Sequence, residues 1–145
     1  MKNILVPFDG SGYSQKAFEI ALEIAEKFES KLTVMTVLQS KISDSAGISV
    51  ERLQEIQDEE ENTATIMLKK LEEQVNPKKA SFSIAIIHNP SSSDGIVAFA
   101  EKNNADLIVM GSHGRTGFRK IVLGSVANGV LGHAKCPVLL TKGTE

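Results

Sequence analysis

The segment VMGSHGRTGFRKIVLGSVANG, from Val109 to Gly129, leads from an apolar run through a glycine-rich region into a helical pattern. Its spacing is G-x2-G-x9-G-S, at the positions Gly111, Gly114, Gly124 and Ser125. Glycine admits positive φ and lets a ligand approach the backbone closely. Consecutive exposed N–H groups in such turns form a concave site for anions. The segment therefore predicts a strand, a phosphate-binding loop and a helix whose positive end faces the ligand.

Positive charge in the same segment supports this interpretation. Arg115, Arg119 and Lys120 could neutralise phosphate charge, and Ser125 could cap the helix or donate its hydroxyl to a phosphate oxygen. The alternative is an ordinary glycine-rich loop with solvated cations and a serine cap, because glycine-rich turns between a strand and a helix are common. The residues alone leave both interpretations open.

Outward from this segment, apolar runs alternate with helical patterns along the whole chain. The predicted strands are Ile4–Val6, Lys31–Leu38, Ser81–Ile87, Leu107–Met110 and Pro137–Thr141. This alternation predicts right-handed βαβ units and a parallel sheet with helices on both faces. Ligands of such folds bind beyond the carboxyl ends of the strands, so the two candidate site loops are 7–14 and 111–125.

Local signals place the ends of the helices. Ser14 is a candidate N-cap for the first helix, and Asn76-Pro77 ends the long second helix. The stretch from Pro90 to Asp94 opens the third helix, and Asn104 suits a left-handed stop. The alternating strand Ser81–Ile87 is expected at a sheet edge.

Length and composition limit the class of protein. The 145 residues are 41% hydrophobic and 23% charged, which indicates one globular domain spanning residues 1–145. A net charge of −2 gives no general attraction to nucleic acid or to anionic membranes. The first apolar run is too short for a signal peptide, and no stretch could span a bilayer. A single cysteine, Cys136, rules out an internal disulfide. We expect a cytoplasmic protein.

Several familiar sites are missing from the sequence. It has no G-x4-G-K-[ST] loop, and Gly10-Ser11-Gly12 lacks the third glycine of the dinucleotide fingerprint. No G-x-S-x-G elbow is present, and the three histidines have no ligand-like spacing, so we expect no metal bound by side chains. Asp106 precedes its strand, at the wrong end for a phosphoacceptor cluster. The acidic run Asp58–Glu61 is expected to be a solvated helix face.

Four stretches together resemble the universal stress protein family along essentially the whole chain. They are Ile4–Ser11, Ala105–Arg115, Gly124–Ala127 and Cys136–Leu140. The resemblance implies a five-stranded parallel sheet in the order 3-2-1-4-5, a Rossmann-like nucleotide-binding fold. It also implies a homodimer. The apolar last strand, Pro137–Thr141, is the expected interface, since an unprotected edge invites pairing.

The complete glycine motif is similar to that of the ATP-binding branch of the family. In that branch the motif surrounds the phosphates and ribose, the aspartate matching Asp9 faces the adenine, and the backbone at the position of Val37 contacts the adenine edge. The nucleotide-binding residues implied are Pro7, Phe8, Asp9, Val37, Met110, Gly111, His113, Gly114, Arg115, Gly124, Ser125 and Val126. The implied ligand is ATP, or ADP or AMP, with any Mg²⁺ held by the phosphates.

Other interpretations remain open at this point. Asp9 could instead be a turn residue that bonds its own backbone. His88 stands where the family often has glycine and could narrow the pocket, which would favour a dimeric interaction protein that has lost its ligand. A slow ATP hydrolase is a further alternative, although no residue is identified as catalytic. The favoured function is a nucleotide-dependent sensor or regulator in the stress response.

Overall fold

A computed structural model describes residues 1–39, 47–113 and 123–143. Five strands alternate with four α-helices and one short 3₁₀ helix. In chain order they are β1 Asn3–Pro7, α1 Gly12–Phe28, β2 Lys31–Leu38, α2 Val50–Lys69, the 3₁₀ helix Lys70–Gln74, β3 Ser81–His88, α3 Ser92–Lys102, β4 Leu107–Gly111, α4 Ser125–His133 and β5 Val138–Thr141. The alternation predicted from the sequence is confirmed.

All neighbouring strands pair in parallel, in the order β3-β2-β1-β4-β5. The order implied by the family resemblance is therefore confirmed, and β3 lies at an edge as its alternating pattern predicts. From β1 the chain builds the sheet toward β3, and it then returns to place β4 on the other side of β1. The strand order thus reverses between β1 and β4, which is where ligands of such sheets bind.

Two apolar layers hold the helices on the sheet. Alternate strand residues such as Val6 and Val34 pack beneath α1 and α2, while Leu5 and Met35 pack beneath α3 and α4. Successive side chains of a strand point to opposite faces, so continuous apolar runs are what a sheet covered on both sides requires. No helix in the ranges described is both long and apolar enough to cross a membrane.

The start of α1 differs from the sequence expectation. Ser11, not Ser14, is the N-cap, because its hydroxyl accepts the N–H of Ser14 at 3.2 Å. Ser14 instead donates its own hydroxyl to the Ser11 carbonyl at 2.9 Å. The first turn of α1 is therefore closed by two serines that bond to each other. Asn104 has a φ of 53°, which confirms the left-handed stop after α3.

Candidate functional site

A cleft of about 580 Å³ lies over the carboxyl ends of β2, β1 and β4. It contains ten of the twelve residues that the resemblance implies: Pro7, Phe8, Asp9, Val37, Met110, Gly111, His113, Gly124, Ser125 and Val126. Gly114 and Arg115, as well as the cations Arg119 and Lys120, lie outside the described residues. The cleft sits where the strand order reverses, and its volume suits a small-molecule ligand.

One end of the cleft is apolar and is bordered by an unpaired length of β2. The register of β1 on β2 ends at Pro7 opposite Met35, and the N–H of Phe8 donates to the Met35 carbonyl at 2.8 Å. Pairing of β2 with β3 continues to Leu38. Backbone groups of successive strand residues point to opposite neighbours, so the N–H and C=O of Val37 point to the side where β1 has ended. Val37 therefore offers a backbone donor and acceptor to the cleft.

The side chain of Val37 is occupied elsewhere. A Cβ placed on Gly95 of α3 would lie 3.2 Å from both Val37 methyl groups, so the helix packs tightly on this side chain. The contact fixes the backbone of Val37 at the wall of the cleft. It supports the expectation that this residue contributes through its backbone.

Asp9 follows β1 and bonds its own backbone. Its Oδ1 accepts the N–H of Ser11 at 2.9 Å, which is the turn interpretation left open by the sequence. The same residue also lines the cleft, so the two interpretations are compatible. The turn bond holds the carboxylate in place at the cleft and leaves it a second oxygen.

The start of α4 differs from the starts of the other three α-helices. Ser11, Ser49 and Ser91 each cap a helix by accepting a backbone N–H, whereas the N-cap of α4 is Gly124 and has no side-chain cap bond. Ser125 is the first helical residue, so the expectation that it caps the helix is wrong. The first N–H groups of α4 and the Ser125 hydroxyl border the cleft instead.

The reasons for two of the glycines also differ from the sequence expectation. Gly124 has φ −61° and ψ 156°, so it does not need the positive φ that glycine permits. A Cβ on Gly111 would lie 2.9 Å from the Cβ of Tyr13. Glycine at position 111 is therefore required by the close approach of α1 to β4.

His113 lies at the end of β4, beside the start of α4. Its Nδ1 is 3.0 Å from the hydroxyl oxygen of Ser112, and its ring packs on that of Tyr13 with centroids 5.4 Å apart. Its Nε2 is buried and has no hydrogen-bond partner among the described residues. Buried polar nitrogens are nearly always paired in folded proteins, so this atom fits a site that takes a polar ligand.

His88 is not among the residues that line the cleft, so the possibility that it narrows the pocket finds no support. Its Nε2 is 2.6 Å from Oε1 of Glu61 on α2, and both side chains are partly exposed. This contact joins the end of β3 to α2. The feature that favoured loss of ligand binding therefore has a different explanation.

The cleft also contains residues that the family resemblance did not imply as nucleotide-binding. They are Ser14, Met35, Thr36, Leu38, Gln39, Glu60, Ser92, Ile96, Ser112 and Ala127. Four of them lie at the end of a strand or the start of a helix: Thr36, Leu38 and Gln39 near the end of β2, and Ser92 at the start of α3. Their positions relative to these ends were the signal from which the sequence could have predicted them. Glu60 had no such signal, since its position depends on how α2 crosses the sheet. The rest of the acidic run, including Asp58 and Glu59, is exposed as expected.

The opposite end of the sheet holds a different carboxylate. Asp106 accepts the N–H groups of Asn3 and Lys2 through one oxygen, at 2.8 Å each. These bonds, that from Asn3 first, hold the pKa of the Asp106 carboxyl below its usual value. Asp106 precedes β4, so it stabilises the amino ends of the strands and takes no part in the cleft. Partial burial raises the pKa of the Cys136 thiol, which packs against the apolar layer beneath α3 and α4.

Comparison with known proteins identifies the family. The model of the universal stress protein family matches residues 1–142. This chain belongs to the universal stress protein family. It is 37% identical to universal stress protein MJ0531 of Methanocaldococcus jannaschii over 145 residues, which is 97% of this chain and 82% of that protein. The family resemblance drawn from the sequence is thus confirmed.

Solved structures of the family share the fold. The structure of hypothetical protein MJ0577 matches with a TM-score of 0.84 and 25% identity, over 99% of this chain and 97% of that one. A universal stress protein in complex with cAMP matches with a TM-score of 0.71 and 22% identity, over 97% and 96% of the two chains. A family member from Arabidopsis thaliana with AMP bound matches at 0.69 and 18%, over 99% and 93%. The last two of these proteins were therefore solved with an adenine nucleotide bound.

Proposed function

We propose that this protein binds an adenine nucleotide, ATP foremost, and acts in the stress response as a nucleotide-dependent sensor or regulator. The observation that carries the proposal is a single cleft that joins an apolar end to an uncapped helix N-terminus. An adenine base needs the first and a phosphate chain needs the second. The cAMP and AMP complexes of related proteins support the adenine part.

The adenine is proposed to lie between β1 and the free edge of β2. Pro7, Phe8 and Met110 supply apolar surface there. The exocyclic amino group of adenine is a donor, and the neighbouring ring nitrogen is an acceptor. The C=O and N–H of Val37 can satisfy both. Guanine presents a carbonyl oxygen at the corresponding position, so the same backbone groups would disfavour it. The carboxylate of Asp9 adds a second acceptor for the amino group.

The phosphates are proposed to lie at the start of α4. The N–H groups of Ser125 and Val126 have no partner within the helix, and the helix dipole adds positive potential. The Ser125 hydroxyl provides a further donor. By the motif, Gly114 and Arg115 complete this end of the site. Hydrogen bonds to charged phosphate oxygens are each worth roughly 1.5–3 kcal/mol.

Any Mg²⁺ that accompanies ATP is proposed to be held by the phosphates and water. Among the residues described, no group of three His, Cys, Asp or Glu side chains is placed to hold a metal ion. Mg²⁺ in nucleotide sites commonly keeps several waters and few protein ligands. The chain is therefore proposed to bind the metal only together with the nucleotide.

The protein is further proposed to form a homodimer through β5. This strand is an edge of the sheet, and Leu139 on it and Leu131 on α4 are exposed apolar side chains. A twofold partner strand would satisfy the unpaired N–H and C=O groups of β5. Light scattering at micromolar concentration should give twice the chain mass of 15.6 kDa, and a monomer would refute this part.

Native mass spectrometry of the purified protein tests the proposed ligand directly. The spectrum should show the chain with an added mass equal to ATP, ADP or AMP, either as purified or after incubation with ATP. Incubation with GTP is the matched comparison and should give weaker occupancy. A folded protein that acquires no nucleotide mass after incubation with millimolar ATP would contradict the proposal.

A further inference from the structure

Ser112 holds the imidazole of His113 from one side. The Ser112 hydroxyl oxygen lies 3.0 Å from Nδ1 of His113. The opposite ring nitrogen, Nε2, is the buried nitrogen that has no hydrogen-bond partner among the described residues. Nδ1 is therefore hydrogen-bonded to the neighbouring residue in the chain, whereas Nε2 is buried beside the cleft without such a bond in the described structure.

The position of Ser112 is itself fixed by the sheet and by α4. Its N–H donates to the carbonyl of Thr141 at 3.0 Å, and its carbonyl accepts the N–H of Gly124 at 2.8 Å. The residue is 5% exposed. Because both backbone groups are bonded, the hydroxyl is presented to His113 from a rigid support, and the Tyr13 ring limits movement of the imidazole.

A neutral imidazole has one nitrogen that donates and one that accepts, and its hydrogen-bond partners decide which is which. If the Ser112 hydroxyl donates to Nδ1, the proton of the ring lies on Nε2 and only that N–H lacks a partner. In the reverse arrangement, Nδ1–H donates to the hydroxyl oxygen. The hydroxyl proton and the Nε2 lone pair would then both be left without partners in the described structure. Unpaired buried polar groups are costly, so the first arrangement is favoured.

We propose that Ser112 is a positioning residue that keeps His113 in the Nε2–H tautomer, so that the neutral imidazole donates a hydrogen bond to an anionic oxygen of the nucleotide. The proposal rests on the proposed nucleotide site. Phosphate oxygens are acceptors only, and a bare Nε2 lone pair would repel them. The serine hydroxyl thus determines whether His113 attracts or opposes the ligand, without touching the ligand itself.

Nuclear magnetic resonance of the ligand-free protein tests the tautomer. Long-range ¹H–¹⁵N spectra at about pH 8.5, where an ordinary imidazole with a pKa of ~6.5 is neutral, identify the protonated ring nitrogen. His88→Gln and His133→Gln variants assign the other two histidines. Wild-type protein should show His113 protonated at Nε2. Protonation at Nδ1, or an equal mixture of the two tautomers, would overturn the proposal.

A pair of serine variants separates the role of Ser112 from a general effect on the cleft. Ser112→Ala should reduce the Nε2–H preference of His113, because Nδ1 loses its donor. Ser125→Ala removes another hydroxyl from the same cleft and should leave the tautomer unchanged. If Ser112→Ala folds and its His113 spectrum is identical to that of the wild type, the serine does not set the tautomer.

A double-mutant cycle on ATP affinity tests the consequence for binding. Ser112→Ala should weaken ATP about three- to tenfold, the loss expected for one impaired hydrogen bond to a charged group. In a His113→Ala background the same change should cost nothing further. Equal losses in both backgrounds would show that Ser112 affects binding independently of His113 and would overturn the proposal. Failure of the wild type to bind ATP would overturn the proposed function, whereas the ligand-free spectra decide the role of Ser112 separately.

Discussion

The backbone N–H of Gly124 donates to the carbonyl oxygen of Ser112 at 2.8 Å. This bond joins the residue that follows β4 to the residue that precedes α4. Since the N–H of Ser112 is bonded to Thr141 of β5, the start of α4 is tied to two strands at once. These two bonds help to hold the helix N-terminus at the cleft.

Replacing Gly124 with valine tests the phosphate end of the site. The backbone angles of Gly124 are accessible to valine, and we expect the added side chain to occupy the space proposed for the phosphate. We expect ATP and GTP affinity to fall alike, by at least about tenfold, which corresponds to ~1.4 kcal/mol. Isothermal titration calorimetry measures both.

Gly132→Val is the matched control for this substitution. Gly132 also lies on α4, and a Cβ there would meet nothing within 4 Å. This variant should bind ATP like the wild type. If Gly124→Val folds and binds ATP as tightly as the wild type, the start of α4 is not the phosphate site.

Asp9→Asn tests the adenine end. Asparagine keeps an oxygen for the turn bond to the N–H of Ser11. The free energy of unfolding of the variant should therefore lie within about 0.5 kcal/mol of the wild-type value. It replaces one carboxylate oxygen with an amide donor, which disfavours the adenine amino group and suits the guanine carbonyl. The ratio of ATP to GTP affinity should therefore fall. An unchanged ratio in competition titrations would remove Asp9 from base recognition.

His88→Ala and His113→Ala make a matched pair of substitutions. His88 pairs with Glu61 outside the cleft, so its loss should leave ATP affinity within about twofold and cost at most ~1 kcal/mol of stability. His113 lines the cleft, and its loss should weaken ATP. The opposite order of effects on ATP affinity would show that the exposed pair controls access to the ligand.

Lowering the pH should destabilise the folded protein by protonating Asp106, whose carboxylate bonds the backbone at the amino end of β1. The pKa of this carboxyl is lower in the folded chain than its ordinary value, because the N–H groups of Asn3 and Lys2 bond the charged form. Its contribution to stability is therefore fully present above an ordinary carboxyl pKa of ~3.9, and it is lost as the pH falls below that value and through the lower pKa of the folded chain. Asp106→Asn should lose less stability than the wild type between about pH 5 and pH 3. Urea unfolding at several pH values measures this, with Glu59→Gln as the control carboxylate. If the stability of the Asp106→Asn variant fell with pH as steeply as that of the wild type, Asp106 would not be the source of the acid sensitivity.

The sequence predicted the sheet well because its signals are local. The bounds of β2, Lys31–Leu38, were predicted correctly. The run is rich in Val and Thr, which favour strands, and the helical pattern before it and the serine-rich segment after it mark its two ends. The N-cap of α1 was misplaced from Ser11 to Ser14. The apolar pattern of a helix defines its buried face but does not identify its first residue. Two serines three positions apart were both suitable caps.

Contacts between distant elements were not predictable from the pattern. The need for glycine at position 111 comes from Tyr13, nearly a hundred positions earlier in the chain. The direction of the His88 side chain comes from Glu61 on another element, and Glu60 reaches the cleft only because of the path of α2. Such features depend on how elements pack, which single-sequence periodicity does not encode.

Calorimetric titration of the folded, nucleotide-free protein with ATP is the most direct test of the central claim, that the cleft over β2, β1 and β4 is an adenine nucleotide site. The account predicts saturable binding with a dissociation constant below millimolar, tighter for ATP than for GTP, and weakened for both by Gly124→Val. Absence of ATP binding below millimolar, in protein shown to be folded, would contradict it.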